Sequence, residues 1–237
     1  MDFYIISVVV IISIVQSIFG VGVLLFGTPI LLIMGYSFAD VLTILLPISL
    51  SINLLQFSRD RKHINFNYYK KLLIYSIPPI VIFLAYAIEM NINVAFYIGC
   101  FLLFISLKSW SQKIEKYILH ILKFEKLFFI IQGVVHGLTN LGGSLLTSQV
   151  FTLDLNKTQK RATISLSYFT FALFQVLTLI TLNKFQEFSA ELIFIGLATY
   201  FITDRFIYTN MSNKKYDKIF AFFLFCSGLN LIYKSVI

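Results

Sequence analysis

Residues 19–35 read FGVGVLLFGTPILLIMG, and residues 136–151 read HGLTNLGGSLLTSQVF. Both stretches are apolar, both are broken by glycine, and both are short for membrane helices. A spanning helix needs about 20 apolar residues to cross roughly 30 Å of hydrocarbon. Gly22 to Gly35 would reach only about 21 Å at the usual helical rise. Each stretch abuts an apolar segment across glycine. Segments 3–19 with 22–35, and 127–140 with 141–153, are therefore expected to form broken or re-entrant hairpins. Short, Gly/Pro-interrupted segments in matching places of two halves point to the substrate site of a secondary transporter.

The composition agrees with a membrane setting. Of 237 residues, 58% are hydrophobic and 13% charged, with mean hydropathy +0.85. No soluble domain of this size could hide that much apolar surface, so the chain reads as an all-α, polytopic membrane protein. The net charge of +8 lies in connections between apolar runs, where it sets topology rather than marking a nucleic-acid partner. Met1-Asp2-Phe3 lacks the basic start of a signal peptide, so the first apolar run is expected to be retained. Cys100 and Cys226 fall inside apolar runs, which argues against a disulfide framework.

Ten apolar segments are expected, at about 3–19, 22–35, 40–57, 72–88, 93–107, 127–140, 141–153, 162–182, 190–206 and 217–236, giving eight to ten crossings. The connections 59–71 (RDRKHINFNYYKK), 109–126, 154–161 (DLNKTQKR) and 205–218 are basic. The connections 36–40, 89–93 and 183–191 are not. Their alternation places both termini outside the cytoplasm. Basic 59–71 corresponds to non-basic 183–191, and non-basic 36–40 to basic 154–161, as expected for two inverted repeats. The ungapped echo of AFYIGCFLLFISLKS (95–109) in AFFLFCSGLNLIYKS (221–235) supports the pairing. The chain then divides into repeats 1–108 and 127–237, joined by 109–126. That linker has Ile114, Tyr117, Ile118, Ile121 and Leu122 on one helical face among lysines, the pattern of an amphipathic helix lying on an anionic leaflet.

Polar groups at membrane depth are costly and usually have a partner or a task. His136 is the one ionisable side chain near mid-segment, and Asn140 follows one turn later on the same face. With them stand Thr139, Gly142, Gly143 and Ser144. In the first half the counterparts are Gln16, Ser17, Gly20, Gly22, Gly27, Thr28 and Pro29. Asn53 and Gln175 fall within one residue of equivalence when Ala39 is set opposite Ala162. Glycines at hairpin tips free backbone N–H groups, helix ends starting there present positive dipole ends, and amides and hydroxyls donate further hydrogen bonds. Together these suit a small anion. Two roles stay open for the glycines, ligand approach or close helix packing, since GVVHG (133–137) fits the small-xxx-small pattern. His136, Asn53 and Gln175 could equally serve as interhelical hydrogen-bonding groups. No carboxylate sits at depth, which argues against a carboxylate relay. No metal spacing, Walker loop or nucleophile elbow is present, which argues against an enzyme.

The hairpins GVGVLLFGTPILLIMG (20–35), with Ala39 after it, and GLTNLGGSLLTSQVF (137–151), with Ala162 after it, are similar to those of the sulfite exporter (TauE/SafE) family of prokaryotic membrane proteins. The first is poorer in glycine than the family pattern, with Val23-Leu24-Leu25 where further glycines are usual. The resemblance implies a plasma-membrane transporter that exports sulfite or an organosulfonate; the inverted repeats with paired hairpin tips suggest alternating access, and no cofactor is expected. The expected site comprises Gly20, Gly22, Gly27, Thr28, Asn53, His136, Thr139, Asn140, Gly142, Gly143, Ser144 and Gln175. Expected partners are the small anion, membrane lipids and, in one arrangement, a second copy of the chain. An anion channel and a non-transporting membrane scaffold are the alternative readings.

Overall fold

A computed structural model describes residues 3–19, 21–90, 92–94, 96–100, 103, 124–155 and 157–206. The described elements are helical: α1 (Phe3–Phe19), α2 (Val23–Ile33), α3 (Phe38–Arg59), a 3-10 turn (Arg61–His63), α4 (Phe66–Glu89), α5 (Glu125–Thr139), α6 (Gly143–Thr152), α7 (Lys157–Thr181) and α8 (Ala190–Phe206). Among the described residues, three stretches, Phe38–Arg59, Phe66–Glu89 and Thr158–Thr181, are long and apolar enough to cross a membrane. Ile74, Ile82, Phe194 and Ile202 point outward and are well exposed, as side chains facing hydrocarbon should be. The chain is a multi-pass, all-helical membrane protein. The linker 109–126 lies almost entirely, and the segment 217–236 entirely, outside the described residues.

The two short segments are short helices. α2 has 11 residues and α6 has 10. Every residue of α2 from Val23 to Pro29 is buried, the condition of a helix apolar all round and enclosed by others. Its neighbours are α1 and α3. Leu24, Leu25 and Leu31 of α2 and Leu42, Leu45 and Leu46 of α3 are fully buried. α3 starts where the Ser37 hydroxyl accepts from the Asp40 N–H, and α4 starts where the Asn65 side chain accepts from the Tyr68 N–H. This second cap corrects the expectation of a loop over 59–71. The 3-10 turn and the first turn of α4 occupy most of that basic stretch, because local capping sets the boundary and the charges ride on the helix.

α5 packs on α4, and α8 on α1, while α3 and α7 meet along the middle. These contacts obey a constant shift of 120 residues. A side chain on Gly133 would strike the Ser76 carbonyl, and one on Gly137 the Ile80 carbonyl. On the other flank, a side chain on Gly196 would approach the Ser13 hydroxyl, and the Ser17 hydroxyl donates to the Tyr200 carbonyl at 3.3 Å. The shift carries Ser13 to Gly133, Ser17 to Gly137, Ser76 to Gly196 and Ile80 to Tyr200. Small residues one turn apart let the backbones touch on both flanks.

One further expectation is corrected. Arg161, read from sequence as a loop charge that only sets topology, is 9% exposed and lies inside α7. It bonds Asp60 at 2.6 Å and Asp204 at 3.2 Å, and Arg59 joins Asp204 at 2.8 Å. A buried guanidinium needs such partners. Asp60 caps α3 and Asp204 lies on α8, so one side chain ties three helices together.

Candidate functional site

The two hairpins have the same backbone construction. A Cβ on Gly22 would lie 2.5 Å from the Gln16 nitrogen and 3.0 Å from the Ile12 carbonyl oxygen. A Cβ on Gly142 would lie 2.9 Å from the His136 nitrogen and 2.6 Å from the Gln132 carbonyl oxygen. The shift of 120 residues again carries Ile12 to Gln132, Gln16 to His136 and Gly22 to Gly142. In each hairpin, glycine lets the start of the short helix press against the preceding helix. In each, a polar side chain, Gln16 or His136, sits at that junction.

The chemistry at the two junctions differs. In the first half the polar groups satisfy one another. Gln16 Oε1 accepts from the Val23 N–H at 2.8 Å, which caps α2. Gln16 Nε2 donates to Asn53 Oδ1 at 3.1 Å, and Asn53 Nδ2 donates to Ser49 Oγ at 3.1 Å. All three residues are buried, and the chain of bonds is closed in that no side-chain nitrogen or oxygen of the three lacks a partner.

In the second half it does not close. His136, Asn140 and Gln175 are fully buried. Gln175 of α7 lies beside the His136 ring. Apart from that loose His136–Gln175 contact, the ring nitrogens of His136, the amide atoms of Gln175, Asn140 Oδ1 and Gln132 Nε2 have no hydrogen-bond partner in good geometry. Each such group costs about 1–3 kcal/mol if it stays unpaired. A neutral imidazole offers one donor and one acceptor, and each amide offers both. Phe171 lies 4.7 Å from the His136 ring and Tyr168 6.3 Å, centroid to centroid, forming an aromatic wall from α7. The Tyr168 hydroxyl sits where a side chain on Gly143 would begin, which brings it to the N-terminus of α6.

Asn140 shapes the turn between α5 and α6. It ends α5 in the left-handed region, with φ 62°, and its N–H bonds the His136 carbonyl at 2.8 Å. Asparagine tolerates this conformation better than most side-chain-bearing residues. Its Nδ2 donates to Thr28 Oγ1 of α2 at 2.8 Å, so the two hairpins meet there. The Thr139 hydroxyl bonds the Val135 carbonyl and accepts from the Leu141 N–H, and the Ser144 hydroxyl bonds the Leu141 carbonyl. The Ser144 and Leu145 N–H groups also turn back, onto Leu141 and Gly142.

Of the residues expected at the site, His136, Asn140, Gly142, Gly143, Gln175 and Thr28 thus lie in one neighbourhood. Thr139 and Ser144 spend their hydroxyls on the backbone of the turn. Gly22 and Asn53 belong to the closed first-half junction. Gly27 packs against Leu45 and Ile12 side chains, and Gly20 lies outside the described residues. Sequence reasoning missed Gln132, Tyr168 and Phe171. Gln132 carried a signal, an amide one turn before His136 on the same face. The two aromatics carried none, because aromatic residues are common throughout this chain.

No curated protein and no solved structure matches the chain. A model of the family described as sulfite exporter TauE/SafE matches residues 5–231. The glycine-built hairpins and the multi-pass helical architecture accord with that match, and the chain belongs to the sulfite exporter TauE/SafE family, whose members are membrane transporters of sulfite or related anions.

Proposed function

We propose that the chain exports a small sulfur oxyanion, sulfite or an organosulfonate, across a prokaryotic plasma membrane, and that the anion is held at the second hairpin. The observation that carries this reading is the contrast between the junctions. At the first, Gln16 and Asn53 each find their partners, whereas the second keeps the buried groups of His136, Gln175, Asn140 and Gln132 short of well-placed ones. An oxyanion supplies that partner. Its oxygens would accept from His136, the Gln175 amide and the start of α6, with Asn140 and Thr28 linking the site to the first hairpin.

The buried cluster is sealed in this conformation. Loading it requires one part of the molecule to move, which favours alternating access over an open channel. The shift of 120 residues in the helix contacts, with the opposite charge of corresponding loops, supports two inverted repeats that rock about the α3–α7 seam. In this reading both termini lie outside the cytoplasm.

Flux of labelled sulfite into proteoliposomes tests the assignment. His136→Ala and Asn140→Ala should each lower uptake at least about tenfold, the scale of one lost hydrogen bond to a charged group, with the protein still folded. Wild-type flux in both variants would refute the site. Trans-stimulation by internal sulfite is expected of alternating access, and its absence would favour a channel.

A further inference from the structure

We infer that the second-hairpin site selects a singly charged oxyanion against a doubly charged one of the same size. The inference deepens the transport reading above and rests on it. Among the described residues, the cluster of Gln132, His136, Asn140, Gly142, Gly143, Tyr168, Phe171 and Gln175 contains no lysine, arginine or carboxylate. The buried cation of the described region, Arg161, is already bonded to Asp60 and Asp204 at the ends of α3 and α8. What remains to face an anion is modest. A helix N-terminus contributes about half an elementary charge, and the N–H groups of Ser144, Leu145 and Leu146 in the first turn of α6 are already bonded to the Leu141 and Gly142 carbonyls. The rest are neutral donors on an imidazole and amides.

Such an environment can match one negative charge but not two. The cost of stripping water from an ion rises with the square of its charge, while attraction to fixed dipoles rises only linearly. The first hairpin gives an internal comparison. There the equivalent helix start is satisfied by an oxygen of no formal charge, Gln16 Oε1, at 2.8 Å. The ring of Phe171, 4.7 Å from His136, adds an uncharged side. A sulfonate presents three oxygens and one apolar corner, and that corner suits the aromatic wall. Sulfate has a fourth oxygen at that corner and a second charge.

Thermal stabilisation of the purified full chain by methanesulfonate and by sulfate reads the selection directly. The buffer is held at about pH 8, where a free imidazole is uncharged. Methanesulfonate should raise the midpoint, and sulfate should need a concentration at least about tenfold higher for the same rise. Equal or stronger stabilisation by sulfate overturns the selection and leaves the anion site standing. Stabilisation by neither anion overturns both the selection and the site. Competition by the same two anions against labelled methanesulfonate uptake should show the same order, and the reverse order would contradict the proposal.

Discussion

At the residue scale, the glycines divide by what surrounds them. Gly22 and Gly142 face backbone atoms at 2.5–3.0 Å, which cannot yield, whereas Gly27 faces the tip of Leu45 at 2.8 Å. Gly22→Ala and Gly142→Ala should therefore each destabilise the protein by about 1–3 kcal/mol. Gly27→Ala should cost less, because a leucine tip can rotate away. Thermal midpoints in detergent check the order, and equal losses for all three would contradict it. Much of this was legible in the sequence. Glycine at a helix junction signals close approach, and His136, Asn140 and Gln175 stood out because polar groups are rare at depth. What sequence could not supply is which polar group already has a partner. Gln16 and His136 occupy corresponding places, yet Gln16 is held by Val23 and Asn53 while His136 has only the loose contact with Gln175.

At the element scale, the short helices were legible because length and hydrophobicity set them directly. The boundaries of α4 and α7 were not, because Asn65 and the Arg161 ion pairs draw formerly loop-like charges into helices. Arg161 ties α7 to the ends of α3 and α8. Arg161→Leu would leave Asp60 with a buried, uncompensated charge and Asp204 with Arg59 alone, and should cost about 3–5 kcal/mol. Adding Asp60→Asn and Asp204→Asn to that variant should restore much of the loss. A triple variant as unstable as the single one would show that the guanidinium acts through packing instead. The α4–α5 seam makes a similar demand. Gly133→Val should separate these helices, since its Cβ would press on the Ser76 carbonyl.

At the scale of the whole molecule, the loop charges and the helix contacts speak to the same symmetry from independent directions. Charges respond to the membrane's two faces, and the shift of 120 residues arises from close packing between backbones. Sequence alone could see the first and only part of the second, because packing partners such as Ser17 and Tyr200 are far apart in the chain. The proposed topology places Lys62, which is exposed, in the cytoplasm and Glu187, also exposed, outside. In intact cells a membrane-impermeant thiol reagent should label Glu187→Cys and leave Lys62→Cys unlabelled until the membrane is opened, each on a background with the native cysteines removed. The opposite pattern would invert the orientation. The central claim is that the second hairpin holds an anion, and ligand-induced stabilisation tests it most directly. Sulfite in mildly acidic buffer, at about 100 times its dissociation constant, should stabilise the wild-type protein by about 2.7 kcal/mol and leave folded His136→Ala nearly unmoved. Equal stabilisation of the two proteins would contradict the account.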